Sequence, residues 1–447
     1  MSKKVHFIAI GGSVMHNLAL DMYSLGYIIT GSDDEIYEPS SSRLKEKGLF
    51  PPTTGWDESR IHEGLDFIVL GMHAKIDNIE LVKAQKLGLE IYSYPELIYN
   101  LSKDKKRVVV AGSHGKTTIT SMILHVLAKN KINFDYVVGA HIEGFTNMVK
   151  ISDAPLIVVE GDEYLSSPVD PRPKMFHYRP HISVLTGIAW DHINVFPTFE
   201  SYVDVFKKYL TLISENGNVV YNQNDTLLQN LINDNNSSLQ YTSYDSLSRN
   251  GQKDEVASEN KCYPISIIGQ HNLSNMAAAL EVCRLLGISE EIFLESMYDF
   301  KGAAKRLQKI AETKDRVVYL DFAHAPSKVK ATTHAFKMWY PNKKVLGVFE
   351  LHTFSSLDAR FLPQYKDALE NMDEAVIYYS EHASKMKNKP IIPENVVLDS
   401  FHHNQIQVIK HKDQLTKLLL SETYANYNIL LMTSGNFDQL DLKIFKR

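Results

Sequence analysis

The chain has 447 residues, 44% hydrophobic and 23% charged, which excludes a disordered or fibrous protein and, at roughly 100–200 residues per domain, points to three domains. A net charge of −5 excludes the basic footprint of a nucleic-acid binder. The only cysteines are Cys262 and Cys283, and neither has a partner at metal-ligand spacing, so a disulfide framework and a structural zinc site are set aside and a cytoplasmic setting is expected.

In chain order, KVHFIAI opens as a strand and passes into a glycine turn rather than a signal-peptide cleavage site. Helical patterns at 13–25, 40–47 and 78–88 alternate with the strands YIITGSD and DFIVLG. Such alternation predicts a parallel, doubly wound sheet. Asp33 follows the turn at Gly11 and Gly12 as in a dinucleotide fold, but Met15 and His16 replace the rest of the G-x-G-x-x-G fingerprint. A nicotinamide site is therefore weakly supported, and another nucleotide diphosphate fits better.

After the charged linker SKDKKR, the strand VVVAG runs through SHGKTT into a helix from Lys116 to Lys129. Backbone N–H groups at such a helix start suit phosphate oxygens, Lys116 adds a point charge, and the Thr117 hydroxyl is a ligand for Mg²⁺. The spacing is shorter than the usual G-x-x-x-x-G-K-[ST], and a strand-helix turn with an incidental lysine is the plain alternative. LIVVEGDEY next places Glu160, Asp162 and Glu163 at the carboxyl end of an apolar strand, where ligands of open α/β sheets gather. TGIAWDH sets His192 beyond another strand, HISVLTG.

Residues 244–260 lack apolar periodicity and read as a surface excursion without chemistry. GQHNLSN puts Asn272 and Asn275 at the mouth of a helix, where an asparagine caps the helix or reads an adenine edge. A third unit follows KGAAKRLQ, with strands VVYLDF, KKVLGVFE, EAVIYY and NILLMTS.

Together AGSHGKTT, EGDEY, AWDHINVFPTFESY, GQHNLSNMAAALE, KGAAKRLQ and DFAHAPSKVKAT resemble, in order and across nearly the whole chain, the motifs of the Mur ligases of peptidoglycan metabolism. The resemblance implies an α/β chain of three domains: a Rossmann-like UDP-sugar unit (1–105), a central P-loop ATPase-type unit (106–302) and a Rossmann-like unit for the incoming amine (303–447). It implies ATP and Mg²⁺, with phosphorylation of the carboxylate of a UDP-muramoyl substrate and attack by an amine. Carried over residue by residue, Ser113, His114, Gly115, Lys116, Thr117 and Thr118 hold the phosphates. Thr117, Glu160 and His192 hold metal. His271 and Asn272 contact adenine, Arg306 reaches the phosphates, and Asp321 and His324 close over the nucleotide. Catalysis falls to Lys116, Glu160, His192, Arg306 and His324. Gly11, Gly12, Ser13, Val14, Met15, Ser32, Asp33 and His73 hold the UDP-sugar.

Lys207, fifteen residues after His192, stands near the position of the family's carbamylated lysine, although an exposed pair with Lys208 is the plainer reading. Two branches carry such an N-terminal unit. One joins L-alanine to UDP-N-acetylmuramate, and the other joins the recycled tripeptide L-Ala-γ-D-Glu-meso-diaminopimelate to the same nucleotide. EGDEYLSSPVDPRPKMFHYRP and MTSGNFDQL resemble the peptide branch. Ala325, where a second histidine is usual, and FELHTFSSLDARF, which lacks the arginine-rich form, leave the acceptor open, with Arg360 a candidate contact. A nicotinamide oxidoreductase and an inactive nucleotide-binding regulator are the alternatives from other classes.

Overall fold

The computed structural model describes residues 2–192, 194–235, 237–250, 255–258, 261–267, 269–302 and 306–446. The chain forms two compact units, one of Met1–Ile188, Glu200–Asp245 and Ala278–Met297, the other of Ala189–Phe199, Ser246–Ala277 and Tyr298–Arg447. Among the described residues the first unit holds two sheets and a hairpin, and the second a third sheet and another hairpin.

The first sheet uses β1 (Lys4–Ile8), β2 (Ile28–Ser32), β3 (Phe67–Leu70) and β4 (Glu90–Ser93), all parallel in the order β2-β1-β3-β4. Its crossovers contain α1 (Ser13–Ser24), α2 (Ser40–Glu46) and α3 (Ile79–Lys86), and α4 (Tyr94–Leu101) leads out of it. FIVL of β3 is wholly buried, as a parallel strand covered by helices on both faces must be. Asn78 caps α3 through its side chain, and Ser93 caps α4 with Pro95 in the first turn, so both helix starts are written locally.

The second sheet comprises β5 (Lys106–Ala111), β6 (Asp135–Val137), β7 (Val149–Lys150), β8 (Leu156–Glu160), β11 (Ile182–Leu185), β12 (Asn218–Asn222) and β13 (Gln240–Tyr244), with β9 (Leu165–Ser167) and β10 (Asp170–Pro173) as a separate hairpin. Its order is β13-β12-β11-β5-β8-β6-β7, parallel except for the β6–β7 pair. The chain leaves β5 by α5 (Lys116–Lys129), and α6 (Phe199–Leu210) and α7 (Thr226–Asn233) flank the far half. Central β5 thus has β8 on one side and β11 on the other, the switch point beyond which ligands of open α/β sheets bind. Asn17 and Asp21 of α1 accept hydrogen bonds from Met148 N (3.0 Å) and Ile151 N (2.8 Å), fastening the first sheet's helix to the end of the second sheet.

Residues 244–260 contain more order than expected. Glu255–Ser258 forms β14, paired antiparallel with β15 (Lys261–Pro264). Only Val256 is buried in β14, so a single apolar contact offers no periodicity to read. α8 (Gln270–Leu285) and α9 (Glu290–Ser296) follow.

The third sheet runs β16-β17-β21-β18-β19-β20, from β16 (Gln308–Glu312), β17 (Val317–Asp321), β18 (Val345–Glu350), β19 (Glu374–Tyr378), β20 (Ile406–Ile409) and β21 (Asn428–Met432). It is parallel apart from β16–β17. Alternate residues of each strand enter opposite cores. Tyr319 and Phe349 pack with Phe336, Tyr365 and Phe401 on one side, Leu320 and Val348 with Leu415 and Leu419 on the other. α10 (Pro326–Trp339), α11 (Glu381–Met386), α12 (Glu394–Phe401) and α13 (Lys412–Leu419) supply the helical layers.

Candidate active site

In the first unit, the turn between β5 and α5 is built by backbone constraint. Gly112 has φ +107°, and a Cβ there would lie 2.3 Å from Thr186 Oγ1 and 2.6 Å from Thr186 N, so no other residue fits without displacing backbone. Gly115 caps α5 at φ +74°. Ser113 N donates to Gly187 O (3.0 Å), tying the loop to the segment after β11.

Lys116 Nζ lies 2.5 Å from Glu163 Oε2 and donates to Gly112 O at 2.8 Å. Burial alone would lower this lysine, but the carboxylates of Glu163, Asp162 and Glu160 outweigh it and raise its pKa, so the charge is kept. Thr117 Oγ1 donates to Glu160 Oε1 (2.7 Å), and Gly139 N donates to Glu160 Oε2 (2.8 Å). A hydroxyl and a carboxylate held together are hard oxygen donors, the set Mg²⁺ prefers. Thr118 is buried in α5, while His114 is half-buried in the loop.

The EGDEY turn continues into β9, β10 and the run PKMFHY. Lys174 Nζ pairs with Asp162 Oδ2 at 2.6 Å and lies 5.7 Å from the ring of Tyr94 and 5.8 Å from that of Tyr164. Burial opposes its charge, and Asp162 more than restores it, raising the pKa. Lys174 lies in the quoted PKMFHY run, but the motif reading gives it no role there, because its carboxylate partner is brought to it only by the folded chain.

At the carboxyl edge of the first sheet, Gly11 N donates to Asp33 Oδ2 (2.7 Å), and a Cβ on Gly11 would come within 2.9 Å of that oxygen. Burial pushes the Asp33 carboxyl above its ordinary value. Ser32 is fully buried and accepts from Arg60 Nη1 (2.7 Å), with His6 Nε2 at 3.3 Å. Gly12 and Val14 are half-buried, Met15 is buried, and Ser13 and His73 are exposed.

In the second unit, His192 adopts φ +56° and its N donates to Asp191 Oδ1 (2.8 Å). Buried Asp191 also faces His324 Nε2 at 3.8 Å and Lys328 Nζ at 3.7 Å. Burial first, and then Lys328, bring the His324 imidazole down to about 3. Its Nδ1 is 2.9 Å from Phe322 O, which fits a neutral ring donating there. The guanidinium of Arg306 stacks over the Phe322 ring at 4.8 Å. Asp321 accepts from Leu307 N and Ala323 N, both at 2.7 Å, so its carboxylate pins the Arg306 segment to the turn carrying His324.

Asn272 lies inside the first turn of α8 rather than before it, and Asn275 Nδ2 donates to its side chain (3.2 Å). His271 lines a cavity of about 430 Å³ with Ile265, Ile267, Leu273, Met338 and Trp339. Arg249, from the stretch expected to be inert, covers Trp339 there at 4.5 Å. Lys207 is exposed and paired with Asp204 (3.1 Å) on the outer face of α6, matching the plainer of its two readings. Arg360, 86% exposed, is paired with Asp358, two residues away, at 2.8 Å. Ala325 precedes α10 as its buried cap residue.

Three models of one family match in succession: "Mur ligase family, catalytic domain" over residues 4–106, "Mur ligase middle domain" over 110–283 and "Mur ligase, glutamate ligase domain" over 305–436. The UDP-N-acetylmuramate–L-alanine ligase of Caldicellulosiruptor saccharolyticus is 34% identical, covering 86% of this chain and 85% of its own. Among solved structures, the UDP-N-acetylmuramate:L-alanyl-γ-D-glutamyl-meso-diaminopimelate ligase of Neisseria meningitides is 26% identical with TM-score 0.62, over 67% of this chain and 99% of its own. The UDP-N-acetylmuramate-alanine ligase of Thermotoga maritima aligns at TM-score 0.73 and 21% identity, over 99% and 98%. On these three successive matches and the 34% identical relative, the chain belongs to the Mur ligase family of ATP-dependent, ADP-forming ligases.

Proposed function

We propose that this ligase joins the lactyl carboxylate of UDP-N-acetylmuramate to the amine of L-Ala-γ-D-Glu-meso-diaminopimelate through an acyl phosphate, a reaction of peptidoglycan recycling. The reading divides the chain near residues 105 and 302 into UDP-sugar, ATP and acceptor domains. A carboxylate is a poor acyl donor, so a phosphoryl group must first make its oxygen a leaving group. The carboxylate takes the γ-phosphoryl of ATP and ADP departs. The amine then adds to the acyl carbon, gives up its proton, and expels phosphate.

In this scheme the N–H groups opening α5 and the Lys116 ammonium neutralise charge on the transferred phosphoryl. Thr117 and Glu160 are oxygen donors that would hold Mg²⁺, joined by His192, and the ion would supply further charge neutralisation. By the family resemblance Arg306 would reach the phosphates, His324 and Asp321 would close over the nucleotide, and His271 and Asn272 would contact adenine; the apolar cavity lined by His271 suits a flat base. Gly11, Asp33 and their neighbours take the UDP-sugar.

The observation that carries the choice of acceptor is the EGDEY-to-PKMFHY segment, whose Lys174, paired with Asp162, has its Nζ 5.7 Å and 5.8 Å from the rings of Tyr94 and Tyr164. That sequence resembles the peptide branch. The second reading, L-alanine as acceptor, is favoured by the 34% identical relative named for that reaction. The test is incubation with ATP, Mg²⁺, UDP-N-acetylmuramate and either acceptor, reading phosphate release and product mass. Tripeptide-dependent phosphate release with a product of matching mass is expected. Product with alanine alone would overturn the acceptor, and no amine-dependent phosphate with either would overturn the ligase reading.

A further inference from the structure

The phosphate loop is anchored by Tyr202, the last residue of the AWDHINVFPTFESY motif, to which the motif reading gave no role. Tyr202, on α6, is fully buried, and its hydroxyl lies 2.9 Å from Ser113 Oγ and donates to Glu163 Oε1 at 3.1 Å. The other oxygen of Glu163 holds Lys116 at 2.5 Å. Ser113 and Glu163 are only 2% and 1% exposed, so the chain Ser113 to Tyr202 to Glu163 to Lys116 runs out of bulk water. Proton directions are consistent along it: Ser113 donates to Tyr202, Tyr202 donates to the carboxylate, and the ammonium closes the far side. Phe206, one turn on, meets the Tyr202 ring edge to face at 5.4 Å and fixes its rotamer.

We propose that Tyr202 is a positioning residue for ATP: it ties the phosphate loop, through Ser113, to the carboxylate that stores Lys116, so that loop and lysine are presented to the triphosphate in one geometry. This rests on the phosphate loop binding ATP. Glu163 holds the ammonium in place before nucleotide binds, and the Tyr202 hydroxyl keeps the carboxylate oriented as Lys116 turns to phosphate. A buried hydrogen bond to a charged group is strong enough for its loss to be measured.

The experiment compares the full-length chain with Tyr202→Phe, Ser113→Ala and the double variant, reading ADP affinity by calorimetry, KM for ATP and for UDP-N-acetylmuramate, kcat and thermal midpoint. Tyr202→Phe is expected to weaken ADP binding and raise KM for ATP roughly tenfold, with KM for the UDP-sugar moved less than twofold. The double variant is expected to lose little more than either single one, because both cut the same connection. Unchanged ATP parameters in Tyr202→Phe, or fully additive losses, would overturn the proposal. If Tyr202→Phe fails to fold, Ser113→Ala decides: a normal KM for ATP overturns the role, and a selective rise supports it. Wild-type chain that binds no ADP would instead sink the ATP reading beneath it.

Discussion

The carboxyl edges of the second and third sheets make an instructive pair. At the second, backbone does the work: Gly112 is forced by Thr186, Gly115 caps α5, and Thr117 and Lys116 occupy the first helical turn. At the third, side chains do it. Buried Glu350 accepts from Thr433 Oγ1 and from Phe437 N (3.0 Å), Asp321 gathers two backbone N–H groups, and Arg360 is consumed by Asp358 in its own loop. A phosphate is recognised by geometry that local sequence dictates, whereas an acceptor amine is recognised by side chains drawn from distant loops. If the proposed scheme holds, its nucleotide end is written in short motifs and its acceptor end is not.

Substitutions at the second edge should break the reaction most. Lys116→Ala is expected to lower kcat by about a thousandfold or more with an intact circular dichroism spectrum; turnover within tenfold of wild type would contradict its role. Gly112→Ala comes next. A Cβ 2.6 Å from backbone at φ +107° must distort the loop, so an ADP affinity loss of roughly a hundredfold is expected by calorimetry, and unchanged binding would show that the loop tolerates a side chain.

Asp321→Asn sharpens the contrast at the third edge. It leaves one acceptor oxygen for the two N–H groups of Leu307 and Ala323 and sets an NH2 donor against the other, so a rise of roughly three- to tenfold in KM for ATP is expected from a loosened Arg306 segment. Arg360→Ala should change KM for either acceptor less than twofold, since its guanidinium is 86% exposed and satisfied by Asp358. A tenfold change would make it an acceptor contact after all.

Stability responds elsewhere. Burial raises the Asp21 carboxyl to about 6, above the ~3.9 of an unfolded chain. The folded chain keeps a proton the unfolded one has lost between these values, so its stability falls as pH rises through that window. Asp21→Asn, which still accepts from Ile151 N, is expected to stabilise the chain by up to about 2 kcal/mol at pH 8 and by little at pH 4. Urea denaturation at the two pH values reads this, and equal shifts at both would refute the assignment.

Much of the fold was legible because its central strands are apolar runs bounded by glycine turns. VVVAG, LIVVE and ISVL are buried on both faces and announce themselves, and α5 starts at Lys116 as its motif requires. Polar strands gave no such signal: EVAS of β14 fell in the stretch read as a surface excursion and QKIAE of β16 was not picked out, because only their pairing makes them strands. At the site, Lys116, Thr117 and Glu160 were legible from local motifs. Tyr202, Asp191 and Lys174 lie within quoted stretches but were given no role, since their partners lie from 12 to 137 residues away and only the folded chain brings them together. Asn272 was read as a possible cap and lies instead within the helix, a one-turn difference that composition cannot resolve.

The central claim is that the UDP-muramoyl carboxylate is activated as an acyl phosphate. Its most direct test uses UDP-N-acetylmuramate carrying oxygen-18 in both carboxylate positions, with ATP, Mg²⁺ and the amine acceptor, followed by mass analysis of the released phosphate. One labelled oxygen in each phosphate is predicted, because the bond between that oxygen and the acyl carbon breaks when the amine displaces phosphate. Phosphate free of label, alongside amide product, would contradict the account.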